Sequence, residues 1–221
     1  MKRSKRLSTL CKELLPCTVF ADVGCDHGYM AQYMLENSLC DRAYISDISE
    51  PSLEKARRLL SGYIQAGKVQ SFCCAGLEQV PKDAEQVLIA GMGGEEIVGI
   101  LKNGFFPSRL VLQPMKNTEK VRRFLMGNGY SVLRDYTFSD EKFYDVLCAE
   151  RGKKAREYDA LSLRFGYDNI HFPGADFLLY LRTEQKKCDD RLAAAGRDIP
   201  AVSEKRNELT EALHEAERNL R

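Results

Sequence analysis

Residues 20–30 read FADVGCDHGYM. A short apolar run closes on Asp22, and Gly24 and Gly28 then bracket Cys25, Asp26 and His27. An apolar run that stops at an acid and passes through spaced glycines into a helical pattern reads as a strand handing over to a helix around a bound ligand. Working outward, 18–23 is the first strand candidate, 28–39 a helix, 43–47 a strand and 49–67 a helix. In that last helix Ser49 suits the N-cap and Pro51 the first turn. Strands follow at 69–74 and 86–90, a helix at 95–103, a strand at 109–114 and a helical stretch at 117–129. Two closing strands, 130–138 and 143–150, join through the polar loop SDEK. Strands alternating with helices predict an α/β fold with a mostly parallel sheet covered on both faces. The last two strands, with no helix between them, predict an antiparallel hairpin at one edge.

Beyond about residue 152 the pattern changes. FGYDNIHFPG, 165–174, is loop-like, and two charged helical runs follow at 175–195 and 201–220. Phe177, Leu181, Cys188 and Leu192 mark an apolar stripe on the first run; Val202, Leu209, Leu213, Ala216 and Leu220 mark one on the second. Narrow stripes with Gly196 and Pro200 between them predict an antiparallel helical hairpin of coiled-coil type. The expected organisation is a domain at 1–152, a connecting segment at 153–174 and the helical hairpin at 175–221.

Three ligands compete for the first turn. A dinucleotide fingerprint GxGxxG fails, because Asp26 and Tyr29 stand at its second and third glycine positions. A phosphate-binding loop fails as well: GYIQAGKV at 62–69 lacks the Ser or Thr after its lysine and leads from helix to strand, the reverse of the required order. The third ligand is S-adenosylmethionine. Doubly wound methyltransferases carry D/E-x-G-x-G-x-G here, and this register places Asp22, Gly24, Asp26 and Gly28, with only the middle glycine replaced. An acid at the strand end can accept from the cofactor's cationic amine, and glycines let backbone approach closely. Asp47, which ends the second strand, has a carboxylate suited to both ribose hydroxyls, with Ile48 following it. A helix cap or turn is the alternative role for Asp47.

Composition narrows the partners. In 221 residues the net charge is +1, so no global field argues for nucleic acid, yet local basic clusters exist. These are Lys2, Arg3, Lys5 and Arg6; Lys116, Lys120, Arg122 and Arg123; and RGKKAR at 151–156. They are either solvated faces or one tract following a phosphate backbone. No stretch has the length and apolarity of a membrane span, and the basic N-terminus lacks the apolar core of a secretory signal, so a cytoplasmic location is expected. Eight cysteines form no CxxC pair and no metal-ligand spacing, so no metal is expected and the thiols read as reduced. Cys25 has two readings, an ordinary small residue or a thiolate favoured by a nearby helix N-terminus.

ADVGCDHGYM, IAGMGGEEIVGIL, RLVLQPM followed by VRRFL, and KFYDVLCAE occur in order after Arg6 and Leu7. With the helical tail they resemble the bacterial tRNA adenine-N1 methyltransferase family called TrmK, over essentially the whole chain. The resemblance implies a Rossmann-like methyltransferase domain with a C-terminal coiled-coil hairpin, S-adenosylmethionine as cofactor and N1 of the adenine at tRNA position 22 as target. It implies a cofactor site built from Asp22, Gly24, Gly28, Asp47, Ile48, Ala75, Gly76, Ala90, Gly91, Met92 and Gly93. One departure stands out: family members commonly carry an acid in the turn after the third strand, where CCAGLEQ places Ala75. Adenine N1 has a lone pair and no proton, so catalysis reduces to alignment and to stabilising a cationic product. Asp26 is then a candidate acceptor for the adenine N6 amine, or a cap of the following helix. His27 is a candidate to orient it, and the Gln113 amide to bond the base edge, with packing the alternative for both. The backbone-rich stretch Ala90–Gly94 suits a ring-nitrogen target, or a tight turn. Tyr144 either stacks on the base or packs. The hairpin is expected either to hold the tRNA body or to pair with a second copy, leaving a monomer or weak dimer.

Overall fold

The computed structural model describes residues 4–220, so Lys2 and Arg3 of the first basic cluster lie outside the described residues. The elements run α1 (Lys5–Glu13), β1 (Cys17–Val23), α2 (Tyr29–Glu36), β2 (Cys40–Asp47), α3 (Glu50–Leu59), α4 (Ser61–Gln65), β3 (Val69–Cys73), β4 (Gln86–Met92) and α5 (Gly94–Asn103). They continue with β5 (Arg109–Pro114), α6 (Thr118–Gly127), β6 (Tyr130–Asp140), β7 (Lys142–Arg151), α7 (Ala160–Phe165), α8 (Tyr167–His171), α9 (Ala175–Ala195) and α10 (Pro200–Asn219). The seven strands form one sheet in the order β3-β2-β1-β4-β5-β7-β6. The first five are parallel, and β7 pairs antiparallel with β5 through Arg109↔Glu150 to Leu112↔Leu147. Arg109 and Glu150 also form an ion pair across those two strands at 2.8 Å. Phe20, Ala21 and Val23 of β1 and Val87, Leu88 and Ile89 of β4 are fully buried, as central strands covered on both faces require.

The chain divides into two compact units. One comprises the residues up to Leu133 together with Val146–Arg156; the other comprises Arg134–Asp145 and the residues from Glu157 onward. In the second unit α9 and α10 run antiparallel, pairing Arg182 with Glu217, Lys205 with Glu184 and Arg206 with Asp189. Their stripes bury Phe177, Leu181, Cys188, Val202, Leu209, Ala212 and Ala216, joined by Phe165 and Ile170. Leu220, expected in the stripe, is 56% exposed.

Three expectations are corrected. FGYDNIHFPG is not a loop but contributes α8 and the end of α7, which starts from an N-cap in which Asp159 accepts from Ser162 N at 2.7 Å. Helices of five or six residues carry too few turns to show a period. The SDEK loop shrinks to Glu141, at φ 59°, because both strands run further than their apolar residues do. The helix at 49–67 breaks at Leu60 into α3 and α4.

The short helices also finish the sheet. β6 is an edge strand, and its N–H groups at alternate residues are taken by side chains of the second unit. Asp135 N donates to Asp168 Oδ2 at 2.8 Å, Thr137 N to Asn169 Oδ1 at 2.8 Å and Ser139 N to Asp176 Oδ2 at 3.0 Å. An open row of strand donors is thereby closed. Tyr144 stacks on Phe138 with ring centroids 5.4 Å apart, which is packing within the same unit.

Candidate active site

Strand order reverses between β1 and β4, and in open α/β sheets a crevice forms beyond the strand ends at such a point. Gly24 N and Cys25 N both donate to Ser46 O, at 2.8 and 3.1 Å, tying the turn after β1 to β2. Gly24 sits at φ +69°, the left-handed region that favours glycine, and a Cβ there would also displace the flexible tip of the Met92 side chain from β4. At the end of β2 the Asp47 carboxylate holds two loops: Oδ2 accepts from Asp26 N at 3.2 Å and Oδ1 from Ser49 N at 2.8 Å. Ser49 in turn caps α3, accepting from Ser52 N.

Asp26 adopts φ +44°, a left-handed conformation that costs a non-glycine residue energy. Its side chain is 62% exposed, with Oδ1 at 3.7 Å from both His27 Nδ1 and Lys55 Nζ. The following helix starts from Gly28 with no side-chain cap, so Asp26 does not cap it. His27 meets the Tyr29 ring edge-on at 5.3 Å.

Asp22 is buried at 5% exposure and accepts from Ala31 N at 3.4 Å. Burial, and to a lesser extent the Asp47 charge, raise its pKa from 3.8 to about 7 against the pull of that amide. The same burial, reinforced by Asp22 and Asp47, pushes the Cys25 thiol far above its ordinary value. Of the two readings of Cys25, the structure keeps the inert buried one.

These groups line a cavity of about 640 Å³ within the first unit. Of the residues singled out in the sequence, Asp22, Gly24, Asp26, His27, Asp47, Ile48, Ala75, Gly76, Ala90, Gly91 and Met92 line it. Ile48 is 77% exposed, leaving an apolar side chain at the rim. Gly76 keeps its turn, with its carbonyl accepting from Ser46 Oγ at 2.8 Å, while Ala75 contributes only a methyl to the lining. Gly28, Gly93 and Gln113 stand outside the lining. Gly28 lets α3 come close, since a Cβ there would lie 3.0 Å from both Ala56 and Leu60. Gln113 is wholly buried; its Oε1 accepts from Arg6 Nε at 2.8 Å, and its Nε2 faces Pro114 O and Met115 Sδ.

Sequence reasoning missed Arg6, Tyr29 and Glu96, which also line the cavity. Arg6 lies on α1, whose N-cap Ser4 accepts from Leu7 N at 3.2 Å. The signal was present in the Leu7, Leu10, Cys11 and Leu14 spacing of the N-terminal segment. Arg6 thus leaves the solvated-patch reading. Within the other basic clusters Arg122 is buried, Lys120 pairs with Glu95, Arg123 with Glu119 and Lys153 with Glu150, while Arg151 lies over the Phe106 and Tyr130 rings. Among the described residues, no cluster of His, Cys, Asp and Glu is arranged to hold a metal ion, and no helix is long and apolar enough to cross a membrane.

Acids ending two neighbouring strands, with bare glycine backbone beside them at the switch point, define a Rossmann-like methyltransferase domain. Residues 3–147 match the family model described as Methyltransferase domain. The tRNA (adenine(22)-N(1))-methyltransferase of Bacillus subtilis is 31% identical over 172 residues, covering 75% of this chain and 72% of that one. The chain belongs to the family of that enzyme. Its fold matches the solved B. subtilis m1A22 tRNA methyltransferase TrmK, with a TM-score of 0.78 and 24% identity over 100% of this chain and 99% of that one. It matches equally the M. capricolum TrmK bound to S-adenosyl-homocysteine, with a TM-score of 0.82 and 21% identity over 99% and 97% of the two chains.

Proposed function

We propose that this protein transfers a methyl group from S-adenosylmethionine to N1 of adenine 22 in tRNA. The observation that carries the reading is the pairing of Asp22 and Asp47 on the ends of β1 and β2, beside a cavity whose lining includes Gly24, Gly76 and Gly91. The residues fit that cofactor. A buried carboxyl whose pKa is raised to about 7 is one that an adjacent ammonium group restores to its charged form. The Asp47 carboxylate stands at the strand end from which ribose hydroxyls are recognised in this fold class. Ile48 offers an apolar face to a purine, and Ala75 takes part without the usual acid. When bound, the cofactor supplies an electrophilic methyl on a sulfonium.

The chain's own groups then align the base. N1 attacks with its lone pair, so no general base is needed, and the ring becomes cationic. Asp26, exposed at the cavity, accepts from the N6 amine, turning N1 toward the methyl and offsetting the developing charge. His27 and Lys55 flank the same carboxylate oxygen and fix its direction. Bringing adenine 22 into the cavity costs unstacking, and the charged helical hairpin engages the tRNA body by shape and phosphate contacts.

The test is radiolabelled methyl transfer from S-adenosylmethionine to unmodified tRNA, followed by mapping of the modified base. N1-methyladenine at position 22 is expected. Binding of cofactor and tRNA without transfer would overturn the enzymatic reading.

A further inference from the structure

Glu96 is the one carboxylate of the cavity that the reaction outlined above leaves unused. Four acids line that cavity, and the other three have fixed neighbours. Asp22 accepts from Ala31 N, Asp47 accepts from Asp26 N and Ser49 N, and Asp26 stands 3.7 Å from both His27 and Lys55. Glu96 belongs to the first turn of α5, next to Glu95. Glu95 pairs with Lys120 outside the lining, whereas Glu96 lines the cavity and pairs with no described residue. A helix dipole favours acids in a first turn, but it does not account for one of them facing a cavity.

The surrounding contacts fix where Glu96 stands. Ile100 lies four residues on, so the two side chains share a face of α5, one turn apart. Ile100 meets the turn after β3: a Cβ on Gly76 would come within 2.6 Å of its Cγ2. Just past α5, a Cβ on Gly104 would lie 2.6 Å from the Leu77 Cβ, so the helix is seated on this segment at a second point. Ser46, next to Asp47, donates to Gly76 O at 2.8 Å and ties the end of β2 to the same turn. A ribose held at Asp47 therefore delivers its base past Ile48 toward Gly76 and α5. Ile48, Ala75, Gly76 and Ile100 bring no polar side-chain atom to that end of the cavity. It is an apolar slot with one carboxylate a helical turn from its wall, which suits a flat ring carrying an N–H donor on its edge.

Resting on the S-adenosylmethionine reading, we propose that Glu96 accepts a hydrogen bond from the exocyclic N6 amine of the cofactor's adenine and selects it over purines with an oxygen at C6. A carboxylate only accepts, so an amine satisfies it, while a carbonyl oxygen would set acceptor against acceptor. Glu96 is thus a specificity residue for the cofactor and touches neither the methyl group nor the tRNA base.

The experiment measures Kd by calorimetry for S-adenosylhomocysteine and for its deaminated analogue S-inosylhomocysteine, in wild type, Glu96→Gln, Glu96→Ala and Glu95→Gln. Deamination also changes ring N1 from acceptor to donor, but that change is common to all four proteins and cancels between them. Wild type should prefer the adenine compound by about 30-fold or more, the range of a hydrogen bond to a charged group. Glu96→Gln keeps the shape but adds a donor. It should weaken the adenine compound by about three- to tenfold, tighten the inosine compound, and shrink the preference by at least about tenfold. Glu96→Ala should weaken the adenine compound by a similar factor. Glu95→Gln removes the same charge one residue away and should leave both affinities within about twofold. An unchanged preference in Glu96→Gln would overturn the proposal, and so would equal losses for the two compounds, which would make Glu96 a general contributor to charge or fold. Unchanged affinities with a lowered kcat/KM for tRNA would assign Glu96 to the incoming base and overturn it as well. Wild type binding S-adenosylhomocysteine without selectivity would sink the Glu96 assignment alone, whereas wild type binding neither compound would bring down the cofactor reading with it.

Discussion

Replacing Asp22 by Asn removes an ionisation and little else, since the amide is nearly isosteric and its oxygen can still accept from Ala31 N. Because burial lifts the folded-state pKa from 3.8 to about 7, the folded ligand-free protein binds more protons than the unfolded chain between those values. Stability therefore falls as pH rises through that window and stays low above it. The span corresponds to a ceiling of about 4 kcal/mol, fully felt near pH 8 and shrinking to about 1–2 kcal/mol near pH 5. The amide of the variant carries no such penalty. In urea titrations of the ligand-free proteins, Asp22→Asn should gain on wild type by about 2–3 kcal/mol in moving from pH 5 to pH 8. Cofactor binding should show the mirror image. Wild-type affinity for S-adenosylmethionine should fall up to about tenfold per pH unit below pH 7, as Asp22 must shed its proton to receive the amine, and should level off above. The variant should bind weakly with no such dependence. A pH-independent stability difference between the two proteins, or wild type gaining on the variant as pH rises, would refute the burial argument.

Three further outcomes are expected. Asp26→Gly relieves a left-handed residue and should raise thermal stability by up to about 1 kcal/mol while turnover collapses; loss of both would mean that the carboxylate holds the turn together. Gly94→Ala would set a Cβ 2.5 Å from Asn117 O and 2.8 Å from Lys116 O, both backbone atoms. It should destabilise by at least about 2 kcal/mol, read as a lowered denaturant midpoint at unchanged m-value. Asn169→Ala strips partners from Thr137 N, Thr137 Oγ1 and Phe165 O, and should cost about 2–4 kcal/mol in the same assay.

The parallel core was legible because its strands are apolar runs bounded by acids and glycines, and Arg109–Pro114 falls on its expected bounds. The cofactor side of the cavity was legible for a related reason: backbone that must turn sharply needs glycine, and Asp22 and Asp47 stop their strands. What escaped reading is whatever depends on distant pairing. Gln113 and Arg6 are 107 residues apart, and nothing local says that a strand-end amide will face inward onto an N-terminal arginine. Ser4, Leu7 and Leu10 do encode the helix that delivers Arg6, but its basic residues drew attention to charge and away from period. Asp26 resisted for the opposite reason, since a helix cap and a free carboxylate call for the same residue at the same place. Only Gly28, starting α2 without a side-chain cap, separates the two.

Asp168, Asn169 and Asp176 stitch β6 to the helices of its own unit. The polypeptide crosses between the two units three times, after Leu133, after Asp145 and after Arg156. A chain halted at Arg156 would retain the whole sheet but bare the N–H groups of Asp135, Thr137 and Ser139 in one row. Such a row invites another strand to add to it. Gene fragments that respect the sequence boundary should thus yield a protein prone to assemble edge to edge, and the helical tail doubles as the hem that keeps the sheet from growing.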